Sequence, residues 1–238
     1  MELGPHLHRI GNDIVAAYLV DTADGITIID AGLGGHWRDL VRELDAMGRS
    51  LADVKGLILT HGDSDHVGFA ERLRREHAVP VYVHPDDADR ARGGAKPKTE
   101  RQSLRLGPVL SFLGYAVRKG GLRTRWLSQT VDALPGETLD LPGSPQIIGM
   151  PGHSPGSIAV WVPVADAVFV GDALTTRHVL TVAVGPGPAP FTDDPAQALA
   201  SLRALLPTGA RWVLPGHGMP WSRGVEEAVA SVERAAAR

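Results

Sequence analysis

The stretch THGDSDH at residues 60–66 carries two imidazoles and two carboxylates within six residues, at His61, Asp63, Asp65 and His66. It follows an apolar run at residues 54–59, which predicts a buried strand because polar and glycine residues bound it. Apolar residues at helical spacing come after the stretch. The cluster is therefore predicted to form a strand-to-helix loop, and such loops on a rigid sheet edge commonly carry ligands and catalysts.

Three further segments place a ligand-type residue after an apolar run, at His153, Asp172 and His217. Imidazole suits zinc and similar ions, and carboxylate is a harder donor. Taken alone, the 60–66 stretch could be a polar turn with an Asp N-cap. Four such groups on one tight loop do not fit a single ion without strain, so they indicate two adjacent ions. The additional strand-end residues favour the metal-site interpretation over the polar turn.

In these residues the chain resembles the metallo-β-lactamase superfamily of metal-dependent hydrolases. The family signature is His-x-His-x-Asp-His, followed by a distant His, an Asp and a His at strand ends, and Asp30 matches an earlier strand-terminal Asp. The resemblance covers nearly the whole chain. It implies an α/β fold of the four-layer αββα sandwich type, with residues 1–238 in one domain and a helical insert around residues 90–125.

The resemblance also implies a set of metal ligands. The first ion would be held by His61, Asp63 and His153. The second would be held by Asp65, His66 and His217, and Asp172 would bridge the two ions. Asp63 departs from the pattern because it stands where the family has its second histidine. We expect it to bind the first ion and to move the metal preference from zinc towards iron or manganese. The alternative is a weak first site and an enzyme that works with one ion.

The activity that the resemblance implies is hydrolysis by a hydroxide that bridges two divalent ions, since a metal lowers the pKa of bound water from about 15.7 to near 7. A lactone or a related carboxylic ester or thioester is the favoured substrate. Asp65 is the candidate for orienting the water and carrying its proton. A phosphodiesterase, a β-lactamase-like hydrolase and a non-catalytic metal-binding module remain as alternatives.

The segment at residues 90–125 carries ten Lys and Arg residues and a single acidic residue, a formal charge of +9 in a chain of −3. One interpretation is a solvated insert that pairs with acidic residues elsewhere in the chain or in another subunit, as in a homodimer. The other is a basic, mobile lid that attracts an anionic substrate. The segment's apolar residues predict a helical hairpin packed on the fold, so nucleic acid is a less favoured partner.

Five residues outside the ligand set carry separate expectations. Asp30 is expected to orient a ligand rather than bind an ion. Trp126 is expected to form an apolar wall of the substrate pocket. A Pro/Gly-rich segment at residues 175–194 is predicted to be a functional loop without regular structure. It is expected to bring His178 and Phe191 close to the opening of the metal site. His36 is expected to lie at the surface.

Composition sets further bounds on the protein. Its 238 residues are 43% hydrophobic, which is enough for a sizeable core. It has no cysteine, so a disulfide framework and a thiolate metal site are excluded. No signal-peptide pattern is visible, and no apolar stretch approaches the roughly 20 residues needed to span a bilayer. We therefore expect a cytoplasmic protein without a membrane span, whose partner is a small-molecule substrate.

Overall fold

The N-terminal half of the chain forms a seven-stranded sheet whose strands lie in sequence order. The structure, a computed structural model, describes residues 1–96, 106–178, 181 and 183–237. The strands are β1 (Glu2–Gly4), β2 (Leu7–Gly11), β3 (Ala16–Thr22), β4 (Gly25–Ile29), β5 (Val54–Ile58), β6 (Val81–Val83) and β7 (Val131–Asp132). Strands β1 to β4 pair antiparallel, whereas β4 to β7 pair parallel. Parallel pairs need a crossover connection, and helices supply it here.

The C-terminal half forms a second sheet of four strands in the order β13-β10-β9-β8. These strands are β8 (Gln146–Gly149), β9 (Ile158–Val162), β10 (Ala167–Gly171) and β13 (Trp212–Pro215). The prediction that residues 175–194 lack regular structure is wrong, because β11 (Thr175–Arg177) and β12 (Val184–Gly187) pair there as an antiparallel hairpin. A two-stranded hairpin consists of edge strands only, and edge strands are where proline and glycine are tolerated.

Six helices occur in the described part of the chain. They are α1 (Trp37–Ala46), α2 (Ala70–His77), α3 (Pro85–Ala91), α4 (Leu106–Arg118), α5 (Pro195–Ser201) and α6 (Val225–Ala236). None of these helices has the length and apolarity needed to cross a membrane. Helix α4 lies within the predicted helical insert. The prediction of a helical hairpin from the apolar residues of this insert is wrong for the described residues, because those from residue 106 to 115 lie in the single helix α4. Residues 97–105 lie outside the described residues.

Alternating side chains of the two sheets build three apolar layers. On β3 and β4, Leu19 and Ile28 point towards the helices of the first half, where they join Leu40 of α1 in one buried cluster. Tyr18 points the other way and lies 5.4 Å, ring centroid to centroid, from Phe169 of the second sheet. A third cluster fills the space between the second sheet and α6. The predicted order of layers, helix, sheet, sheet, helix, is therefore confirmed.

His36 is fully buried, so the expectation that it lies at the surface is wrong. Its Nδ1 accepts a hydrogen bond from the Leu33 backbone N at 2.9 Å, and its Nε2 lies 2.7 Å from the Tyr115 hydroxyl on α4. A Cβ atom at Gly32 would come within 2.2 Å of His36 Nδ1, so glycine at that position makes the space for the ring. Burial, together with the charge of Lys119, lowers the pKa of His36 to about 4.

We expect His36 to make the fold sensitive to mild acid. Its pKa is lower in the fold than in the unfolded chain, so its stabilising contribution is complete above about pH 6.5 and is lost as the pH falls towards 4. The pKa shift corresponds to about 3 kcal/mol. Urea unfolding with chelator present should show the wild type losing about that much more stability than His36→Gln between these pH values. Parallel pH profiles for the two proteins would contradict this.

Candidate metal centre

Residues that follow four strands, β5, β8, β10 and β13, converge at one edge of the two sheets. Three groups of them have potential ligand atoms within 4.8 Å of one another. The groups are His61 with Asp63 and His153, Asp65 with His66 and His217, and His61 with His66 and Asp172. All seven ligand-type residues are therefore brought together, although they are spread over more than 150 residues of sequence. Strands that run in the same direction have their carboxyl ends at the same edge of a sheet, as β8, β10 and β13 do, and this explains why residues directly after these strands come together.

Asp172 lies between the two halves of the cluster. Its Oδ2 is 3.2 Å from His217 Nε2 and 3.8 Å from His153 Nε2, and its Oδ1 is 3.6 Å from His66 Nε2. One carboxylate therefore faces imidazoles on both sides. On the side of Asp172 where His217 lies, Asp65 Oδ2 is 3.5 Å from His217 Nε2. This arrangement is compatible with the bridging position expected for Asp172.

Hydrogen bonds fix the tautomer of His66 and His217. His66 Nδ1 lies 2.9 Å from Asp30 Oδ2, and His217 Nδ1 is bonded to the backbone oxygen of Ile14. A carboxylate and a carbonyl oxygen can only accept, so the proton must be on Nδ1 in both rings. In each ring Nε2 is therefore free to be an electron-pair donor towards the centre of the cluster.

The same reasoning fixes the tautomer of His61 through Thr60. The Thr60 hydroxyl donates its only proton to Asp30, at 3.0 Å from Oδ1 and 2.9 Å from Oδ2. It therefore has to accept from His61 Nδ1, which lies 3.0 Å away. Asp30 thus supports two histidines, one directly and one through Thr60, as expected of a residue that orients ligands.

Thr192 fixes the tautomer of His153 in the same way as Thr60 fixes that of His61. Its hydroxyl donates to the Ala189 backbone oxygen at 2.9 Å and so accepts from His153 Nδ1 at 3.2 Å. All four imidazoles therefore turn Nε2 towards one centre. Neither threonine was singled out from the sequence, because a threonine beside a strand end or in a Pro/Gly-rich segment carries no distinguishing signal.

Several of the inward-pointing atoms have no partner within the part of the chain that the structure describes. They are the Nε2 atoms of His61, His66 and His153 and the Oδ1 atom of Asp172. Buried polar atoms without a partner cost about 1–3 kcal/mol each, so a cluster of them calls for an explanation. Nitrogen electron pairs and a carboxylate oxygen around one point fit a divalent cation.

The carboxylates around the site raise the pKa of two imidazoles. Burial alone would lower the pKa of His66, but the charges of Asp30 and Asp172 outweigh burial and raise it to about 10. The same balance, with Asp172 as the main charge, raises the pKa of His217 to about 9. Without an ion, both rings are therefore protonated on Nε2 as well as Nδ1 at neutral pH, and a bound divalent cation would replace the Nε2 protons as the positive charge at the centre.

Asp87 on α3 connects the loops that carry His61 and His153, and sequence reasoning missed it. It is fully buried, and its carboxylate accepts hydrogen bonds from the Gly62 backbone N at 2.7 Å, the Ser154 hydroxyl at 2.8 Å and the Gly156 backbone N at 2.9 Å. In the sequence it looks like an ordinary acidic residue in the first turn of a helix, where carboxylates are common.

None of the three residues expected to line the pocket belongs to the three ligand groups found among the described residues. Trp126 is 40% exposed and Phe191 is 42% exposed, and His178 follows β11 and lines an apolar cavity beside α5 and α6. Their contact with substrate remains a prediction. Phe112 of α4 has its ring centroid 6.5 Å from that of His217, so α4 contributes an aromatic side chain beside the cluster.

A family model described as Metallo-beta-lactamase superfamily matches residues 10–217. The match covers most of the chain and both halves of the cluster. The chain therefore belongs to the metallo-beta-lactamase superfamily and is a metallo-hydrolase of that superfamily.

Two relatives that are hydrolases by name, both bacterial, align with this chain over most of their length. Probable metallo-hydrolase YflN of Bacillus subtilis is 27% identical over 232 residues, which are 92% of this chain and 86% of YflN. Hydroxyacylglutathione hydrolase GloC of Haemophilus influenzae is 30% identical over 211 residues, 87% of this chain and 86% of GloC. The crystal structure of TTHA1623 in a di-iron-bound form has a TM-score of 0.64 and 30% identity, and covers 94% of this chain and 97% of TTHA1623.

Proposed function

We propose that this chain hydrolyses a small-molecule carboxylic ester or thioester, with a lactone as the favoured ester, by means of two divalent metal ions. The proposed ligands are His61, Asp63, Asp65, His66, His153, Asp172 and His217. Zinc is the expected metal, with iron or manganese as alternatives because Asp63 adds an oxygen donor. The di-iron form of TTHA1623 supports iron as an alternative.

One observation carries this proposal, namely the orientation of the four imidazoles. Each has Nδ1 engaged by an oxygen. Each turns Nε2 towards one or more of the carboxylates of Asp63, Asp65 and Asp172. A module that binds no metal would have no physical reason to hold these buried atoms without partners, because each of them costs stability. The orientation therefore supports a metal centre, and the substrate panel below separates an active hydrolase from a non-catalytic metal-binding module.

The chain's own residues would position the reacting groups. When bound, the ions would supply a water molecule of lowered pKa and positive charge beside the substrate's carbonyl oxygen. Asp65 is proposed to orient that water, and its side chain is partly exposed beside His217. The water oxygen adds to the carbonyl carbon, the bond to the leaving oxygen or sulfur breaks, and Asp65 passes the proton to the leaving atom.

Two features support an ester or thioester as the substrate class. GloC, which is 30% identical, is by name a hydroxyacylglutathione hydrolase, so a thioester is a reasonable choice for the first assay. Phe112 places an apolar surface beside His217, which suits an acyl group better than a phosphate. Part of the positive charge that suggested a phosphodiesterase is neutralised within the chain, since Lys119 is paired with Asp39.

The test combines a metal count with a substrate panel. Protein purified without chelator should contain about two divalent ions per chain by elemental mass spectrometry. It should cleave a lactone or an acyl thioester in preference to a β-lactam or bis-p-nitrophenyl phosphate when zinc, manganese or iron(II) is supplied in turn. Chelator should remove the activity, and the metal should restore it.

Each outcome of this test separates the candidates. No bound metal under any of these conditions would refute the proposal. Bound metal with cleavage of bis-p-nitrophenyl phosphate alone would favour the phosphodiesterase. Bound metal without hydrolysis of any substrate in the panel would favour the binding module.

A further inference from the structure

Asp63 is enclosed by cations. Arg90 Nε donates to Asp63 Oδ1 at 2.5 Å, and Lys96 Nζ donates to Asp63 Oδ2 at 2.5 Å. The same Oδ2 lies 3.8 Å from His61 Nε2 and 3.6 Å from His153 Nε2. The two carboxylate oxygens therefore have different roles, since Oδ1 is held by Arg90 and Oδ2 faces the imidazoles.

Arg90 is itself held in place. Only 8% of its side chain is exposed, and its Nη1 donates to Asp193 Oδ2 at 2.8 Å. The Asp193 backbone N in turn donates to the His153 backbone oxygen at 3.2 Å. Arg90 on α3 thus connects the loop that carries Asp63 to the segment beside His153. A buried arginine held by two carboxylates is more firmly positioned than one in an exposed ion pair.

The charge of this arrangement differs little from that of the family pattern. A histidine at position 63 would be neutral, whereas Asp63 brings one negative charge and a second oxygen. A guanidinium on Oδ1 neutralises that charge and occupies that oxygen. The oxygen that faces His61 and His153 is Oδ2, which also accepts from Lys96, so this donor carries little net charge.

We propose that Arg90, with help from Lys96, sets the metal preference of the position formed by His61, Asp63 and His153, by neutralising Asp63 and occupying its Oδ1, so that Oδ2 is the one oxygen turned towards the imidazoles. This inference rests on the metal centre of the proposed function. Arg90 is a positioning residue in this role, because it acts through Asp63. Without Arg90, Oδ1 would be available as a second oxygen donor and Lys96 alone would offset the charge of Asp63, a change that hard ions such as manganese favour over zinc.

The test is a competition between zinc and manganese in the presence of a chelator of known affinity. The variants are Arg90→Gln, Arg90→Lys and Lys96→Gln, with Arg203→Gln as matched control, since Arg203 is an exposed residue paired with Glu233. We expect Arg90→Gln to shift the preference of one binding step towards manganese by about tenfold. Arg90→Lys, which keeps the charge, should restore most of the preference, and Arg203→Gln should match the wild type.

Lys96→Gln keeps the inference testable if Arg90→Gln does not fold. Lys96 is one-third exposed, so its replacement leaves the core untouched, and we expect a shift in the same direction of about threefold. If Arg90→Gln and Lys96→Gln still bind metal with the wild-type preference between zinc and manganese, this inference is overturned. The proposed function would be unaffected by that result. Wild type that binds no metal would instead refute the proposed function.

Discussion

Replacing Asp172 by alanine is expected to abolish hydrolysis, with kcat/KM falling about a thousandfold or more, which corresponds to at least about 4 kcal/mol of transition-state stabilisation. Among the described residues, Asp172 is the single side chain whose two oxygens face His66 on one side and His153 and His217 on the other. Without it, the three imidazoles would have no shared carboxylate, and at least one ion should be lost.

The fold of the Asp172→Ala variant should remain intact. Asp172 is buried after the end of β10, and its side chain contacts imidazoles rather than backbone donors. Asp132→Ala is the matched control, since Asp132 is also an aspartate at the end of a strand, β7, but is exposed. Metal content, circular dichroism and kcat/KM should be measured together on both variants. Wild-type turnover in folded Asp172→Ala would remove Asp172 from the proposed ligand set.

The pattern of strand ends was predictable from the sequence because it is local. An apolar run followed by a ligand-type residue needs no knowledge of tertiary contacts, and β5, β10 and β13 occur where such runs predict them. The layer order followed from the family resemblance and is confirmed. His36 was misjudged because nothing in the local sequence shows that Tyr115, 79 residues away, gives its ring a buried partner.

The supports of the site were not predictable for the same reason. Asp87 and Thr192 act on a histidine or its loop through tertiary contacts, and Thr60 acts on its neighbour His61 through a hydroxyl whose proton is directed by Asp30, 30 residues away. Arg90 was counted within a basic segment, where its charge suggested a solvated insert or a lid. Its contact with Asp63, 27 residues earlier, depends on how α3 packs against the 60–66 loop.

One of the residues that support the ligands, Asp30, has a strained backbone. Asp30 follows β4 with φ of 60°, a left-handed conformation that costs a non-glycine residue roughly 1–3 kcal/mol. This conformation accompanies the position in which its carboxylate reaches Thr60 and His66. At Gly216, an added Cβ would come within 2.4 Å of His66 Cε1, so the backbone before His217 approaches the ring as closely as glycine allows.

Replacing Asp87 by alanine should both destabilise the fold and weaken metal binding. The substitution leaves the backbone N–H groups of Gly62 and Gly156 without an acceptor in a buried position. Each unsatisfied donor costs about 1–3 kcal/mol, so we expect a loss of about 3–5 kcal/mol in the free energy of unfolding. The loops that carry His61 and His153 would also lose the group that connects them.

The neighbouring residue offers a close control for this variant. Asp86 lies in the same turn of α3 but has a side chain that is 66% exposed, so Asp86→Ala should cost less than about 1 kcal/mol. Urea unfolding with chelator present isolates the effect on the fold, and chelator competition on the folded proteins measures the effect on metal affinity. If Asp87→Ala and Asp86→Ala unfold at the same urea concentration and hold metal equally well, then Asp87 does not support the metal centre.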